Sequence, residues 1–455
     1  MKKGVLFSAL LILVSAQWVI AQQPAIQYHR AWDKTGIHVF EPSKKGDQPA
    51  YDGVKVRIGG SFTQDFQRLT HSNTPTYVAT SATNPTNKNF LYGLDKAEDT
   101  TSVTLQGFNL AMANLNLDIQ IGDGIRVALE NYMSARHHSE FWVKGGYIQM
   151  DKLPMFGNPQ WFTDYVRVKI GHFQPNFGDM QFRRSDGGNT LYNPFVENLI
   201  FDAFTTEIGG EAYVFPMDGL MVMAGMTSGF INGNVENYPA NPVAPNVEPN
   251  EKKPSVYVKA AYDKQFNDLR FRVSASLYDN SGIQRNTLYA GDRTGSHYFL
   301  VAENSTATAS ANQYSGRFAA MGVSNKVRAI AINPFIKYKG IELFGDYQII
   351  KGRTNAEANG AERSFQQLAV EGVYRFLADE QAYVGGRYIS AEGRPQGYTA
   401  DIHIDRLAFV AGWFPTRNML LKLEYVLQQY HDFPTTDYRN EAEFNGFVVE
   451  AVIGF

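Results

Sequence analysis

Cysteine is absent from all 455 residues. That excludes disulfides, thiolate metal sites and a cysteine nucleophile, and it excludes a lipidated cysteine behind any cleaved leader. Long apolar runs are nearly absent too. Beyond the first 21 residues none approaches the roughly 20 residues that a membrane-crossing helix needs. Charge of one sign is not in excess: 42 Lys and Arg face 45 Asp and Glu, a net of −3, or −5 once Lys2 and Lys3 are removed. A polybasic nucleic-acid surface is thereby excluded. No phosphate-binding loop, dinucleotide fingerprint or EF-hand loop is present. No serine motif suggests a Ser-His-acid hydrolase. What is abundant is aromatic residues at 13%, with 25 Tyr and 40 Gly, in a chain of mean hydropathy −0.30. A soluble all-β protein has such a composition. So does a membrane barrel, in which only alternate residues face lipid.

The ends separate the two. Met1-Lys2-Lys3 precedes an apolar stretch from Gly4 to Ile20, broken only by Ser8, Ser15 and Gln17, and Val19-Ile20-Ala21 places small residues at a cleavage site. Residues 1–21 are predicted to be a secretory signal peptide. An uncleaved membrane helix fits less well, because the apolar core is short and a polar segment follows at once. At the other end, Phe447, Val449, Ala451, Ile453 and Phe455 share one face at period two, and the chain finishes on an aromatic. This resembles the C-terminal strand of outer-membrane barrels.

Residues 22–52 are polar and contain proline, and are expected to form a periplasmic N-terminal segment. Residues 53–455 divide into about sixteen alternating segments of the length that a tilted spanning strand needs. Their approximate spans are 53–66, 104–120, 123–135, 141–151, 164–172, 204–215, 218–228, 254–264, 268–280, 328–338, 340–351, 365–377, 380–391, 402–415, 418–431 and 443–455. The connections sort by length. Gly122-Asp123, Lys339-Gly340 and Phe414-Pro415-Thr416-Arg417 are among the short turns, while 67–103, 173–203, 229–253 and 281–327 are long. If the first strand runs outward, every long connection lies outside and every short turn lies in the periplasm, with 152–163 intermediate. The Ser-, Thr- and Asn-rich stretches 67–90 and 281–312 are expected to be solvated surface loops.

The strand faces agree with a barrel. Val166, Val168 and Ile170 oppose Arg167 and Lys169, and Leu421, Leu423 and Tyr425 oppose Lys422 and Glu424. Charges on one face of many strands fit a wet lumen, with the apolar face toward lipid. Aromatics near strand ends, at Phe141-Trp142, Trp161-Phe162, Phe215, Phe376, Trp413-Phe414 and Tyr430, are expected to form interfacial girdles.

The densest polar constellation follows the fifth segment and runs Gly171-His172-Phe173-Gln174-Pro175-Asn176-Phe177-Gly178-Asp179-Met180-Gln181-Phe182-Arg183-Arg184-Ser185-Asp186. The pattern Gly171-x-Phe173-x-Pro175-x-Phe177-Gly178 resembles the start of the long third loop in the phosphate-selective porin O/P family, and 164–214 is similar to porin-like proteins of Bacteroidetes. The resemblance implies a water-filled channel for passive diffusion. It also implies that the third extracellular loop, residues 173–200, folds inward as a constriction, and that the assembly is a homotrimer in the outer membrane, in contact with lipid and lipopolysaccharide. It would put Arg183 and Arg184 at the narrowest point beside Asp186, unless they pair with Asp179, Asp186 or Glu207 and simply hold the loop. Arg126, Arg167, Lys169, Arg270 and Arg272 fall on lumen registers, as do Glu130, Glu207, Glu211, Glu342, Asp346 and Glu424. That mixture argues against strict anion selectivity.

No enzyme, cofactor, metal or nucleic-acid role is expected. His137-His138 with Glu140 has metal-ligand chemistry, but a short solvated loop is the simpler reading. The other function class is a non-channel barrel whose loops serve as an adhesin or docking surface. Strand count separates the two, since barrels of eight to ten strands are filled while about sixteen leave room for water.

Overall fold

The computed structural model describes residues 23–78, 89–94, 102–134, 141–229, 252–283, 285–289, 296–308, 316–318, 321–354, 356–357 and 362–455. The expected signal peptide lies outside these residues, as do His137, His138 and Glu140.

Sixteen strands form one closed antiparallel barrel. They are β1 Lys55–Ser72, β2 Ser102–Gly122, β3 Ile125–Ser134, β4 Trp142–Met150, β5 Val166–Phe173, β6 Glu207–Met217, β7 Leu220–Thr227 and β8 Ser255–Phe266, then β9 Leu269–Asn280, β10 Lys326–Tyr338, β11 Ile341–Arg353, β12 Arg363–Phe376, β13 Ala382–Gly393, β14 Ile402–Thr416, β15 Met419–His431 and β16 Glu443–Gly454. Each strand pairs with its sequence neighbours, and β1 closes onto β16 with Ser61 opposite Gly454. Every strand end but one falls within three residues of its expected position. The exception is β1, which runs on to Ser72. Its last turn of pairing is carried by polar cross-strand contacts such as Thr70 to Thr104 at 2.8 Å, which an apolar alternation does not reveal.

The turns explain the short connections. Asn267 and Lys339 open two-residue hairpins with φ of 52° each, and Gly219 and Gly124 supply φ of 84° and 72°. These are the left-handed positions that tight hairpins require.

The two faces of the wall are inverted relative to a soluble sheet. Val56, Ile58 and Phe62 on β1, Leu368 and Val370 on β12, and Phe447, Val449 and Ile453 on β16 are exposed on the outer face. Their neighbours Asp65, Gln67, Gln367, Glu371 and Glu450 are buried inside. An apolar outer band on every side of a closed barrel is stable only in lipid, where the closed ladder also leaves no unpaired backbone edge. Among the described residues no helix is long and apolar enough to cross a membrane. The crossing is made by strands.

Some expected girdle residues point inward. Phe141, Trp142, Trp161 and Trp413 are exposed, but Phe162, Phe414 and Tyr430 are buried, and Phe215 packs against the interior core. Successive residues of a strand face opposite sides, so a pair such as Trp413-Phe414 cannot place both rings in lipid. The stretch 281–312 is also less solvated than its composition suggests. Ile283, Leu288, Tyr289, Tyr298, Phe299 and Val301 are buried beneath the long-loop end of the barrel.

Candidate functional site

Among the described residues several segments pack inside the wall, three of them as follows. At the short-turn end lies the chain before β1, residues 23–54. Its middle stretch, residues 26–45, touches the wall on several sides. Gln27 accepts from the Gln120 side chain at 2.7 Å, and His29 meets Asp118 at 3.0 Å. The Lys34 amide donates to the Arg417 carbonyl at 2.8 Å, His38 meets Glu342 at 2.6 Å, and Lys44 pairs with Asp151 at 3.3 Å. Glycines leave room for it. A Cβ on Gly59 would sit 2.2 Å from the Trp32 indole, and one on Gly36 would meet the Tyr192 ring at 2.8 Å. Residues 22–52, expected as a periplasmic segment, thus include a strap seated in the barrel mouth.

The second segment is the connection between β5 and β6. It reaches wall strands far from its own ends. The Gly178 amide donates to Ser276 at 3.1 Å and the Asp179 amide to Asn333 at 3.0 Å. The Val196 amide donates to Glu424 at 2.9 Å and the Phe201 amide to Gln367 at 2.6 Å. Wall cations answer its carbonyls: Lys422 donates to Phe195 O at 3.0 Å, Arg387 to Glu197 O at 2.6 Å, and Arg406 to Asn198 O at 2.8 Å. Phe195, Val196, Leu199, Ile200 and Phe201 are buried against apolar wall residues.

The third segment, residues 296–302, hangs from the long-loop end and is locked by His297. Its Nδ1 lies 2.8 Å from Asp65 and 2.9 Å from Glu450, and its Nε2 lies 2.9 Å from the Ser185 hydroxyl. The Ser–His–Asp distances are those of a nucleophilic relay. The surroundings are not. Burial alone would lower the pKa of His297, but Asp65 and Glu450 hold it well above the ordinary value. Ser185 and His297 are also 1% and 0% exposed, out of reach of any substrate. Lys422 stands 2.5 Å from Glu450, so one of the two carboxylates already holds a lysine.

The sequence-predicted residues divide into two groups. Arg183 and Arg184 line neither of the two cavities described below. Arg183 bonds Glu371 at 2.7 Å and stacks 4.0 Å from the Phe344 centroid, while Arg184 pairs with Asp202 and lies over Phe204 at 4.4 Å. Both are nearly sealed from water, where a guanidinium needs a carboxylate partner. They were expected at the narrowest point of an open passage; in this structure they hold the segment to the wall and to itself. Among the described side chains, Arg183 pairs with Glu371 and Arg184 with Asp202. The Asp186 side chain lies outside the description. Glu207 is buried and bonded to Thr227 and to Tyr278, the latter at 2.7 Å. The other five border interior cavities, although Arg167 and Arg272 are as buried as Arg183. Arg126, Arg167 and Lys169 border a cavity of about 200 Å³ with Arg30, Glu41, Asp118 and Glu130. Arg270 and Arg272 border a second of about 260 Å³ at the short-turn end. Arg126 pairs with Asp118 and Arg167 with Asp151, and Lys169 lies 3.8 Å from Glu211.

Sequence reading missed Glu41 and Lys259. Glu41 lies 2.9 Å from both Lys259 and Arg272. Burial would raise its pKa, yet the two cations hold it down at about 2. His38 behaves oppositely: burial lowers it to about 4 despite Glu342. A run holding Tyr28, Trp32 and Phe40 among charged residues is unusual for a linker, and that density of aromatics was the available signal.

No family model matches the chain, and no curated protein matches it. Solved structures do share its architecture. An anion-selective porin from Comamonas acidovorans aligns over 88% of this chain and 100% of its own, at 10% identity and a TM-score of 0.52. The outer membrane channel DcaP of Acinetobacter baumannii aligns over 90% and 100% at 10% identity and 0.48, and a BenF-like porin from Pseudomonas fluorescens Pf-5 over 88% and 98% at 12% and 0.42. Identities this low carry the fold alone. With the apolar outer band, that fold makes the chain a multi-pass β-barrel of the outer-membrane type.

Proposed function

We propose that this barrel is a porin, a passive diffusion channel for small hydrophilic solutes or ions, anions such as phosphate among them. One observation carries the reading: a closed sixteen-strand wall, apolar outside, turns Arg126, Arg167, Lys169, Arg270 and Arg272 onto two interior cavities. Confined cations raise the local concentration of anions, while Glu41, Asp118 and Glu130 temper that preference. The segment 173–200 would set the width of the route, with Arg183 and Arg184 acting through their hold on it. Flux of this kind needs no chemical step and no cofactor. The resemblance to phosphate-selective porins belongs to this proposal, as does assembly into a homotrimer through outer faces that carry small residues such as Gly345. A second reading is favoured by the crowded interior: a barrel closed by its own segments, whose loops dock a partner.

Planar-bilayer recordings separate the two. A porin gives stepwise conductance, and a salt gradient gives its ion preference. The Arg183→Ala/Arg184→Ala variant is expected to change the conductance and move the reversal potential toward cations. Purified protein that inserts without conducting favours the docking reading. Unchanged selectivity in the variant makes the two arginines purely structural. Sizing in mild detergent tests the trimer.

A further inference from the structure

Residues Phe40 and Glu41 border both cavities, the one at the mouth and the one deeper inside. They therefore form the partition between them. Phe40 is held by rings and a cation: Phe182 at 5.6 Å, Phe335 at 5.9 Å, and the Arg272 guanidinium 4.0 Å from its centroid. Glu41 is held by charge. Its Oε1 receives Lys259 at 2.9 Å and the Asn176 amide at 3.0 Å, and its Oε2 receives Arg272 at 2.9 Å. Two cations and an amide aimed at one carboxylate make the kind of cradle that binds a free carboxylate.

The charge balance of the cradle depends on the strap. Lys259 on β8 and Arg272 on β9 also hold Asp179, at 2.8 and 2.9 Å. Asp179 belongs to the inner segment, which many backbone bonds fix to the wall. Glu41 belongs to the strap. The strap joins β1 through residues 46–54, where Gly46 and Gly53 take φ of 111° and 132° with nothing packed against them. His38, two residues before Phe40, sits at a φ of 61°, a left-handed value that strains a non-glycine residue. Of the two carboxylates in the cradle, only Glu41 is on a tethered, strained segment that can leave.

We propose that Lys259, Arg272 and Asn176 form a binding site for a small carboxylate from solution, and that Glu41 occupies it as a tethered internal ligand. A solute carboxylate that takes the place of Glu41 leaves the charge of the cradle unchanged and frees the Phe40–Glu41 partition. The inference rests on the porin reading for its consequence in flux, but not for the site itself.

Chemical rescue tests it, with acetate as the probe. Glu41→Ala empties the cradle in the otherwise complete chain. Acetate at tens of millimolar is expected to raise the thermal midpoint of Glu41→Ala and leave the wild type unmoved, because only the variant has a vacant site. Adding Lys259→Met is expected to abolish the response. In bilayers, Glu41→Ala is expected to pass chloride at about three times the wild-type conductance or more, with acetate reversing the gain. A variant whose midpoint ignores acetate overturns the proposal. A midpoint that responds while neither wild type nor variant conducts upholds the site and refutes the porin reading. Should Glu41→Ala not fold, Glu41→Gln, which keeps the shape and removes the charge, carries the test: raised conductance supports the inference, and wild-type conductance overturns it.

Discussion

The strap of residues 26–45 and the inner segment of residues 174–206 both cross the interior, yet they are held in opposite ways. The inner segment is held through its backbone. Its amides and carbonyls meet wall side chains at Ser276, Asn333, Gln367, Arg387, Arg406, Lys422 and Glu424, and Phe195, Val196, Leu199, Ile200 and Phe201 bury beneath them. The strap is held largely by side-chain tips: His29 to Asp118, His38 to Glu342, Glu41 to Lys259 and Arg272, Lys44 to Asp151. Backbone bonds and packed rings release together, only when a segment unfolds. Side-chain ion pairs exchange partners one at a time. The difference separates a fixed internal element from a displaceable one.

The largest effect expected follows from Glu371, which serves Arg183 at 2.7 Å and Arg387 at 3.3 Å. Glu371→Ala leaves two buried guanidiniums without their shared carboxylate and should cost about 3–5 kcal/mol, read from denaturant midpoints in detergent. A cost below 1 kcal/mol would mean that water reaches the pair and that the inner segment is looser than described. Phe201→Ala comes next. Phe201 packs edge-on to Phe318 at 5.1 Å and Phe365 at 6.2 Å, so its loss should cost about 3–4 kcal/mol. Phe40→Ala on the strap, beside two cavities, should cost clearly less. Equal costs would erase the contrast between the segments.

The strap should respond to acid instead. Burial holds His38 at about 4 in the folded protein, against an ordinary value of 6.5. Between those values the unfolded chain binds more protons, so stability rises with pH across that window. The contribution is full above pH 6.5 and is lost as pH falls toward 4, with a ceiling of about 3 kcal/mol. Thermal midpoints from pH 7 to 4 should fall less in His38→Gln than in the wild type. Parallel curves would remove His38 from the account. The smallest effect is expected at Arg394 and Asp401, whose side chains are 53% and 66% exposed. Arg394→Ala should change stability by less than about 0.5 kcal/mol, a surface baseline for the interior variants.

The wall was legible because each strand states its own faces. Lys422 and Glu424 alternate with Leu421, Leu423 and Tyr425 within five residues, and no distant information is needed to turn the first pair inward. The interior was not legible to the same degree. The partner of Arg183 lies 188 residues away, and His297 reaches Asp65 across 232. Such pairings depend on barrel closure and on how each loop enters, and a local pattern records neither. For the six of the nine sequence-predicted residues that lie on strands, wall position was readable from register. Which arginines would border a cavity depended on the strap, which its polar, proline-containing composition presented as a periplasmic segment.

We infer that this barrel conducts and that its strap limits conduction. Single-channel recording of the purified wild type beside Glu41→Gln tests it most directly. Discrete steps are expected from the wild type and larger steps from the variant, in which the charge on the partition is gone. Protein that inserts into bilayers yet gives no steps in either form would contradict it.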